Sequence, residues 1–405
     1  MDYKTAEKYL KDIGQEQLLD YFNELSISEQ SQLLEDIQKT DFSVLENIGK
    51  KSAKPRGKIT PIDAVSFAEI AQNRQQFEKE GLKLLSEGKV CALLLAGGQG
   101  TRLGFDKPKG MFNMGLSRNL PIFQILMNNM SESAVRAGRY FPVFIMTSSI
   151  NNADTVKYFE DNDYFGYPKE KVYFYIQSET PACSYDGKVY LDKKHRIALS
   201  PNGNGGWYSS LVASGLNKVL EKEKIEWINL FGVDNVLQRI CDPVFIGATA
   251  LKNCGCGAKV VNKVSPDEKV GVMCKEDGKP SVIEYYEMDA DLKNQRENGE
   301  LVYRHGVILN YLFNLRALAA TVSCKLPYHL AEKAIAHMEN GERVIPAKPC
   351  GYKFETLAVD MVKLTGSAIA FEVEREREFA PVKNATGADS VDTARNLLIK
   401  NGVKL

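Results

Sequence analysis

Histidine is scarce in this 405-residue chain, with four residues at 195, 305, 329 and 337, none of them in a metal-ligand pair. Zinc hydrolysis and histidine-based acyl transfer are therefore poor expectations. The eight cysteines form no CxxC pair, and several stand in apolar stretches, where a reduced thiol acts as a small hydrophobe. That usage suits a reducing, cytoplasmic setting. No apolar run approaches the roughly 20 residues of a membrane helix. The start, MDYKTAEKYLKDIGQ, lacks a basic segment leading into an apolar one, so a soluble chain unprocessed at its start is expected. Net charge is missing too: 52 Lys plus Arg balance 52 Asp plus Glu. No global field draws the protein to nucleic acid or an acidic membrane, and any polyanion site must be local. The chemistry should rest on Lys, Arg, Asp and backbone.

With 44% hydrophobic residues, the chain can bury a sizeable core, and its length suggests two or three domains. Residues 1 to about 48 carry apolar positions at helical spacing (Tyr9, Leu10, Ile13; Leu18, Leu19, Tyr21, Phe22), and Ser26 with Glu29 resembles a capping box. A basic stretch follows, with Lys50, Lys51, Lys54, Arg56 and Lys58 around Pro55 and Gly57. Without interleaved aromatics it reads as a solvated connector. A helix over about 62–87 then leads into VCALLLAGG (90–98), and similar apolar runs recur at 142–148, 172–177 and 227–235, with helical stretches such as 120–137 and 207–222 between them. Buried strands alternating with helices predict an α/β fold, a Rossmann-like doubly wound sheet. Shorter alternating segments after 336 (LAVDMV, SAIAFEVERE) and a helix near 390–400 suggest a small α+β C-terminal domain. The expected division is 1–60, helical region and linker; 61–335, central catalytic domain; 336–405, C-terminal domain.

The sharpest feature is Leu95-Ala96-Gly97-Gly98-Gln99-Gly100-Thr101-Arg102-Leu103-Gly104, where the first buried strand should end. Glycines there let backbone N–H groups approach an anion, and the arginine adds a fork for phosphate oxygens. A dinucleotide fingerprint would need glycine at 103, and a Walker A loop would need Gly-Lys-Ser/Thr; neither is present. Taken alone, the loop is as well an ordinary turn as a nucleotide site. Asp106-Lys107-Pro108-Lys109-Gly110-Met111 then sets an anion-binding cluster close by.

Together these motifs resemble the signature of sugar nucleotidyltransferases, and LAGGQGTRLG followed by PKGM is similar to the eukaryotic UDP-N-acetylglucosamine pyrophosphorylase branch of the UTP:sugar-1-phosphate uridylyltransferases. Related UDP-glucose enzymes have PKS in place of PKG. Further matching stretches are TPACSYDGKVYL (180–191), SPNGNGGWYSSL (200–211), VDNVLQRICDPVFIG (233–247), GAKVVNKVSPDEKVGV (257–272), VIEYYE (282–287) and EFAPVKNATG (378–387).

The resemblance implies a nucleotide-diphospho-sugar transferase fold with a mixed sheet. It also implies attack by the phosphate of N-acetylglucosamine 1-phosphate on the α-phosphorus of UTP. Such transfer needs charge neutralisation and in-line positioning more than a covalent nucleophile, consistent with few histidines. By position in the motifs, Leu95, Ala96, Gly97 and Gly98 would lie against uracil and ribose, Gln177 and Gly203 would hold the base, and Arg102 and Lys109 would contact the triphosphate. Asp234 would bind Mg²⁺, with Mn²⁺ as the alternative ion. Asn204, Gly271, Glu284, Tyr285 and Asn310 would face the sugar, and Lys353 and Lys383 its phosphate.

Departures concern the sugar. Where many members read Gly-Asn-x-x-Asn, this chain has Gly306-Val307-Ile308-Leu309-Asn310, and Leu357 and Val359 replace two phenylalanines beside the acetyl group. N-acetylgalactosamine, glucose or galactose 1-phosphate therefore stand as alternative substrates, and a non-catalytic sugar-nucleotide sensor as an alternative class. The chain ends sooner than typical members, from which a monomer is expected. Cys254 and Cys256, one residue apart, are expected to be loop or packing thiols.

Overall fold

The protein is described here from a computed structural model covering residues 1–49, 56–319, 324 and 326–405. Lys50, Lys51 and Lys54 of the basic stretch lie outside the described residues.

The chain forms two compact units. The smaller comprises 1–55, 178–206 and 326–358, and the larger 56–177, 207–325 and 359–405. The expected boundary at 335/336 is thus corrected: 336–358 belong to the smaller unit and 359–405 to the larger.

In the smaller unit, helices α1 (Tyr3–Asp12) and α2 (Ile27–Lys39) are both capped, α2 by the expected Ser26–Glu29 box. Fewer than fifty residues of short helix bury too little apolar surface to fold alone. Leu10, Leu18, Phe22, Leu33 and Ile37 accordingly share a core with Cys183, Val189, Leu191, Ile197 and Phe354. The strands His329–Lys333 and Gly351–Glu355 pair antiparallel beneath it.

The larger unit is built on an eleven-stranded sheet. Its strands are β1 (Ile59–Pro61), β2 (Ala64–Val65), β3 (Val90–Leu95), β4 (Val143–Thr147), β5 (Val172–Ile176), β6 (Trp227–Gly232), β7 (Cys256–Asn262), β8 (Val272–Glu276), β9 (Lys279–Ile283), β10 (His305–Asn314) and β11 (Ala368–Glu372). The main order is β2-β11-β7-β10-β6-β3-β4-β5. β6, β3, β4 and β5 run parallel, and β10 is antiparallel to both β6 and β7. All four apolar runs singled out in the sequence are these parallel strands. Every residue of β3 and β6 is buried, as a strand covered on both faces requires. Covering helices include α3 (Phe67–Ser86), α4 (Ile122–Ala137), α5 (Asn152–Asp161) and α6 (Pro243–Leu251).

The C-terminal stretch contributes to this core. β11 pairs parallel with β7, and Phe371, Phe379, Val382, Val391 and Leu398 join the main apolar cluster. The alternation of LAVDMV does not make a strand, because Asp360–Leu364 is a short helix burying Met361 and Val362. Cys256 is buried in β7, opposite Ala368 and Phe313. No cysteine among the described residues is paired in a disulfide. Among the described residues, no helix is long and apolar enough to cross a membrane.

Candidate active site

The loops after β3 and β6 leave neighbouring parallel strands, whose last residues, Leu95 and Gly232, stand side by side. Loops at the carboxyl ends of such strands are where open α/β sheets bind ligands. The first is the glycine loop. It folds onto the lysine motif: the N–H of Gly100 donates to the carbonyl of Lys107 (2.9 Å), and the N–H of Lys109 to that of Gly98 (3.1 Å). Two motifs separate in sequence therefore form one surface. Leu95 and Ala96 are buried, Gly97 is half-buried and Gly98 exposed. Asn151, which the sequence reading passed over, holds this loop by donating Nδ2 to the carbonyl of Ala96 (2.9 Å). An asparagine a few residues past β4 carries no sequence signal for such a tether.

Gln177, just past β5, lies against the same loop. A Cβ on Gly97 would stand 2.7 Å from its Nε2, while a Cβ on Gly98 would meet nothing within 4 Å.

Asp234 follows β6, and Lys109 lies within its field and those of Arg102 and Lys383. Burial pushes the Lys109 ammonium below the ordinary lysine range; Asp234 opposes this, and the two cations add to it. Arg102 itself is exposed. Lys383 arrives on the strap 378–383. Its Nζ is 3.2 Å from Asp389, a partner the sequence did not suggest.

The strap is fixed to the Asp234 turn. Val382 N–H donates to the Asp234 carbonyl (2.8 Å), and Asn235 donates to the Glu378 carbonyl (2.7 Å) while accepting from Ala380 N–H (2.9 Å). At its start, fully buried Lys259 binds Glu378 (2.5 Å) and Asp242 (3.2 Å). Burial favours the neutral acid at Glu378, and its pKa remains raised against the pull of Lys259. Asn235 sits beside Asp234 in the VDN motif, so its position, though not its bonds, was legible.

On the β8–β10 side, Val307 N–H donates to the Gly271 carbonyl (2.8 Å). A Cβ on Gly271 would meet Glu284 Oε1 at 3.3 Å and Val307 Cγ2 at 3.4 Å, so Gly271, Glu284 and Val307 share one spot. Tyr285 is half-buried, its ring edge-on to Tyr286 at 5.2 Å. Leu309, with a left-handed φ of +52°, reaches over Gly232 towards Asp234. The expected sugar contact at Asn310 is corrected. That side chain is fully buried, its Oδ1 accepting from Asn229 (2.9 Å) and its Nδ2 donating to Gln238 (3.3 Å). A buried amide must be satisfied internally, and this one is spent on joining β6 to β10.

In the smaller unit, the loop 202–206 is roofed by 355–358. A Cβ on Gly203, whose φ is +81°, would meet the Thr356 carbonyl at 2.3 Å, and one on Gly205 would meet Leu357 N at 2.6 Å. Asn204 is anchored through Oδ1, which accepts from Ala358 N–H (2.9 Å). Lys353 pairs across to Ala331, and burial lowers its pKa; Glu355 opposes that shift and Lys333 reinforces it.

Backbone donors, an arginine, two lysines and one carboxylate at the carboxyl edge of a parallel sheet are what transfer of a nucleotide between phosphates requires. The larger unit thus has the make-up of a nucleotidyltransferase. The UTP–glucose-1-phosphate uridylyltransferase family profile matches residues 38–400, and the chain belongs to that family. It is 36% identical to UDP-N-acetylglucosamine diphosphorylase 2 of Arabidopsis thaliana, over 98% of this chain and 84% of that one. Identity is 35% to UDP-N-acetylhexosamine pyrophosphorylase-like protein 1 of Xenopus tropicalis, covering 98% and 83%. Among solved structures, the uridine diphosphate N-acetylglucosamine pyrophosphorylase of Trypanosoma brucei superposes with a TM-score of 0.82 at 29% identity, covering 98% of this chain and 84% of that one. UDP-glucose pyrophosphorylase of Leishmania major, at 17% identity and a TM-score of 0.67, shares the fold.

Proposed function

We propose that this enzyme transfers the uridylyl group of UTP to N-acetylglucosamine 1-phosphate, giving UDP-N-acetylglucosamine and pyrophosphate. The observation that carries the reading is Lys109, bonded through its backbone to the glycine loop and set in the field of Asp234, Arg102 and Lys383.

In this reading the uracil and ribose lie along 95–98, with Gln177 completing the base site and Gly203 contributing backbone. A phosphate oxygen of the sugar substrate attacks the α-phosphorus, the bond to the bridging oxygen of the β-phosphate breaks, and pyrophosphate leaves with its charge met by Arg102 and Lys109. Lys383 and Lys353 are the proposed contacts of the sugar phosphate. Asn204, Gly271, Glu284 and Tyr285 are the proposed sugar contacts.

A divalent ion, Mg²⁺ or Mn²⁺, belongs to the proposal. Among the described residues no three His, Cys, Asp or Glu side chains cluster as ligands, and Asp234 is the proposed protein ligand. One carboxylate fits an ion that keeps water and takes its other ligands from substrate phosphates. When bound, it would supply Lewis-acid neutralisation of phosphate charge. A monomer in a reducing, cytoplasmic compartment completes the proposal; the absence of disulfides among the described residues supports the reducing setting.

Val307 supports a second reading with the same chemistry on glucose, galactose or N-acetylgalactosamine 1-phosphate, since it places a methyl beside Glu284 where an amide could serve the acetyl group. Steady-state kinetics across a sugar 1-phosphate panel, ranked by kcat/KM, separates the two. Tight binding of UDP-sugar with no turnover of any of them would instead favour the sensor.

A further inference from the structure

Arg56 belongs to the basic stretch that the sequence assigns to a solvated connector, yet its side chain is only 24% exposed. Nη1 lies 3.3 Å from Glu276, at the end of β8, and Nη2 lies 2.5 Å from Oε2 of Glu287. That same Oε2 accepts the backbone N–H of Glu284 (3.0 Å), while Glu287 N–H donates back to the Glu284 carbonyl (2.9 Å). Residues 284–287 form a turn closed at both ends. The Arg56 guanidinium holds its carboxylate lock, and the side chain of Glu284 projects from it to the spot shared with Gly271 and Val307.

We infer that Arg56, acting through Glu287, is a positioning residue for the sugar-binding carboxylate Glu284. The inference rests on the proposed function, in which Glu284 accepts from sugar hydroxyls. An arginine suits the task because its planar fork spans two carboxylates, fixing the turn to the β8–β9 hairpin. Glu276 does not depend on Arg56 alone: Lys363 stands 2.9 Å away, and Gly57 N–H and Ser281 Oγ also donate to it. Removing Arg56 therefore leaves the hairpin neutralised and releases mainly the Glu287 end. Small displacements of a substrate-orienting group are costly to binding and turnover.

The test measures KM for sugar 1-phosphate and for UTP separately in the wild type, Arg56→Met, Arg56→Lys, Glu287→Gln, Glu284→Ala and the double variant Arg56→Met/Glu284→Ala. Arg56→Met should raise the sugar 1-phosphate KM about tenfold and leave that for UTP within about twofold, with Arg56→Lys recovering part of the loss. In the Glu284→Ala background, Arg56→Met should add nothing, because the residue it positions is gone. Should Arg56→Met fail to fold, Glu287→Gln, which keeps an acceptor for Glu284 N–H but loses the ion pair, carries the same expectation. Equal rises in both KM values, additive effects in the double variant, or an unchanged sugar KM in Glu284→Ala would each overturn the relay while leaving uridylyl transfer standing. A wild type that turns over no sugar 1-phosphate would overturn the proposed function itself, and the relay with it.

Discussion

The backbone N–H of Val382 donates to the carbonyl of Asp234 at 2.8 Å, so the strap bearing Lys383 is paired to the turn bearing the site's carboxylate. Asn235 closes that pairing with two further bonds. Replacing it by alanine strands the Ala380 N–H and the Glu378 carbonyl, at a cost of about 1–3 kcal/mol. Thermal unfolding of Asn235→Ala should shift downward, and kcat should fall together with the lost placement of Lys383. A variant with wild-type melting and wild-type kcat would show that the strap is held elsewhere.

Lys109 should set the alkaline limb of activity. Burial holds its pKa below the ordinary lysine range, so on raising pH it loses its charge before exposed lysines do. The value of kcat/KM for UTP, which reports the free enzyme, should decline below that range, and Lys109→Arg should push the decline to higher pH. For stability the sign is opposite to that of a salt-bridged lysine. The folded-state pKa lies below the unfolded one, so the penalty for burying the cation is fully present below the folded pKa. It is relieved as pH rises from the folded value towards the unfolded one. An alkaline limb indifferent to Lys109→Arg would remove Lys109 from the rate-determining charge set.

Gly97 and Gly98 separate protein crowding from ligand crowding. An alanine at 98 meets nothing in the protein, whereas one at 97 presses on the Gln177 amide, a flexible end that can give way. Gly98→Ala should therefore melt like the wild type and yet raise the KM for UTP about tenfold or more, because only the nucleotide is there to be displaced. Isothermal titration with UTP checks it; unchanged affinity would place the base elsewhere.

The sugar side was the least legible part of the site. The four parallel strands and the sharp glycine-rich turn that ends the first of them were readable because buried strands and tight turns constrain local sequence. Whether Asn310 faces a ligand or the interior was not, since that depends on Asn229 and Gln238, brought to it by the sheet. Arg56 was misread for the same reason: its two carboxylates lie over two hundred positions away. The C-terminal stretch was judged from its alternation, yet pairing of β11 with β7 ties it to the main sheet.

Val307 allows a direct trial of sugar choice. It stands beside Gly271 and Glu284, and an asparagine there would add an amide where the chain now offers methyl groups. Val307→Asn should raise the ratio of kcat/KM for N-acetylglucosamine 1-phosphate over glucose 1-phosphate by about tenfold, the worth of one hydrogen bond of roughly 1–1.5 kcal/mol. A ratio that stays put would separate Val307 from the sugar.

The central claim is uridylyl transfer at the Lys109–Asp234 site. Its most direct test is pyrophosphate release from UTP, Mg²⁺ and N-acetylglucosamine 1-phosphate by the purified protein beside Lys109→Ala. The account predicts sugar-dependent release by the wild type, reduced about a hundredfold or more in the variant, the scale on which removing a charge-stabilising donor acts. Release equal in the two proteins, or none with any sugar 1-phosphate, would contradict it.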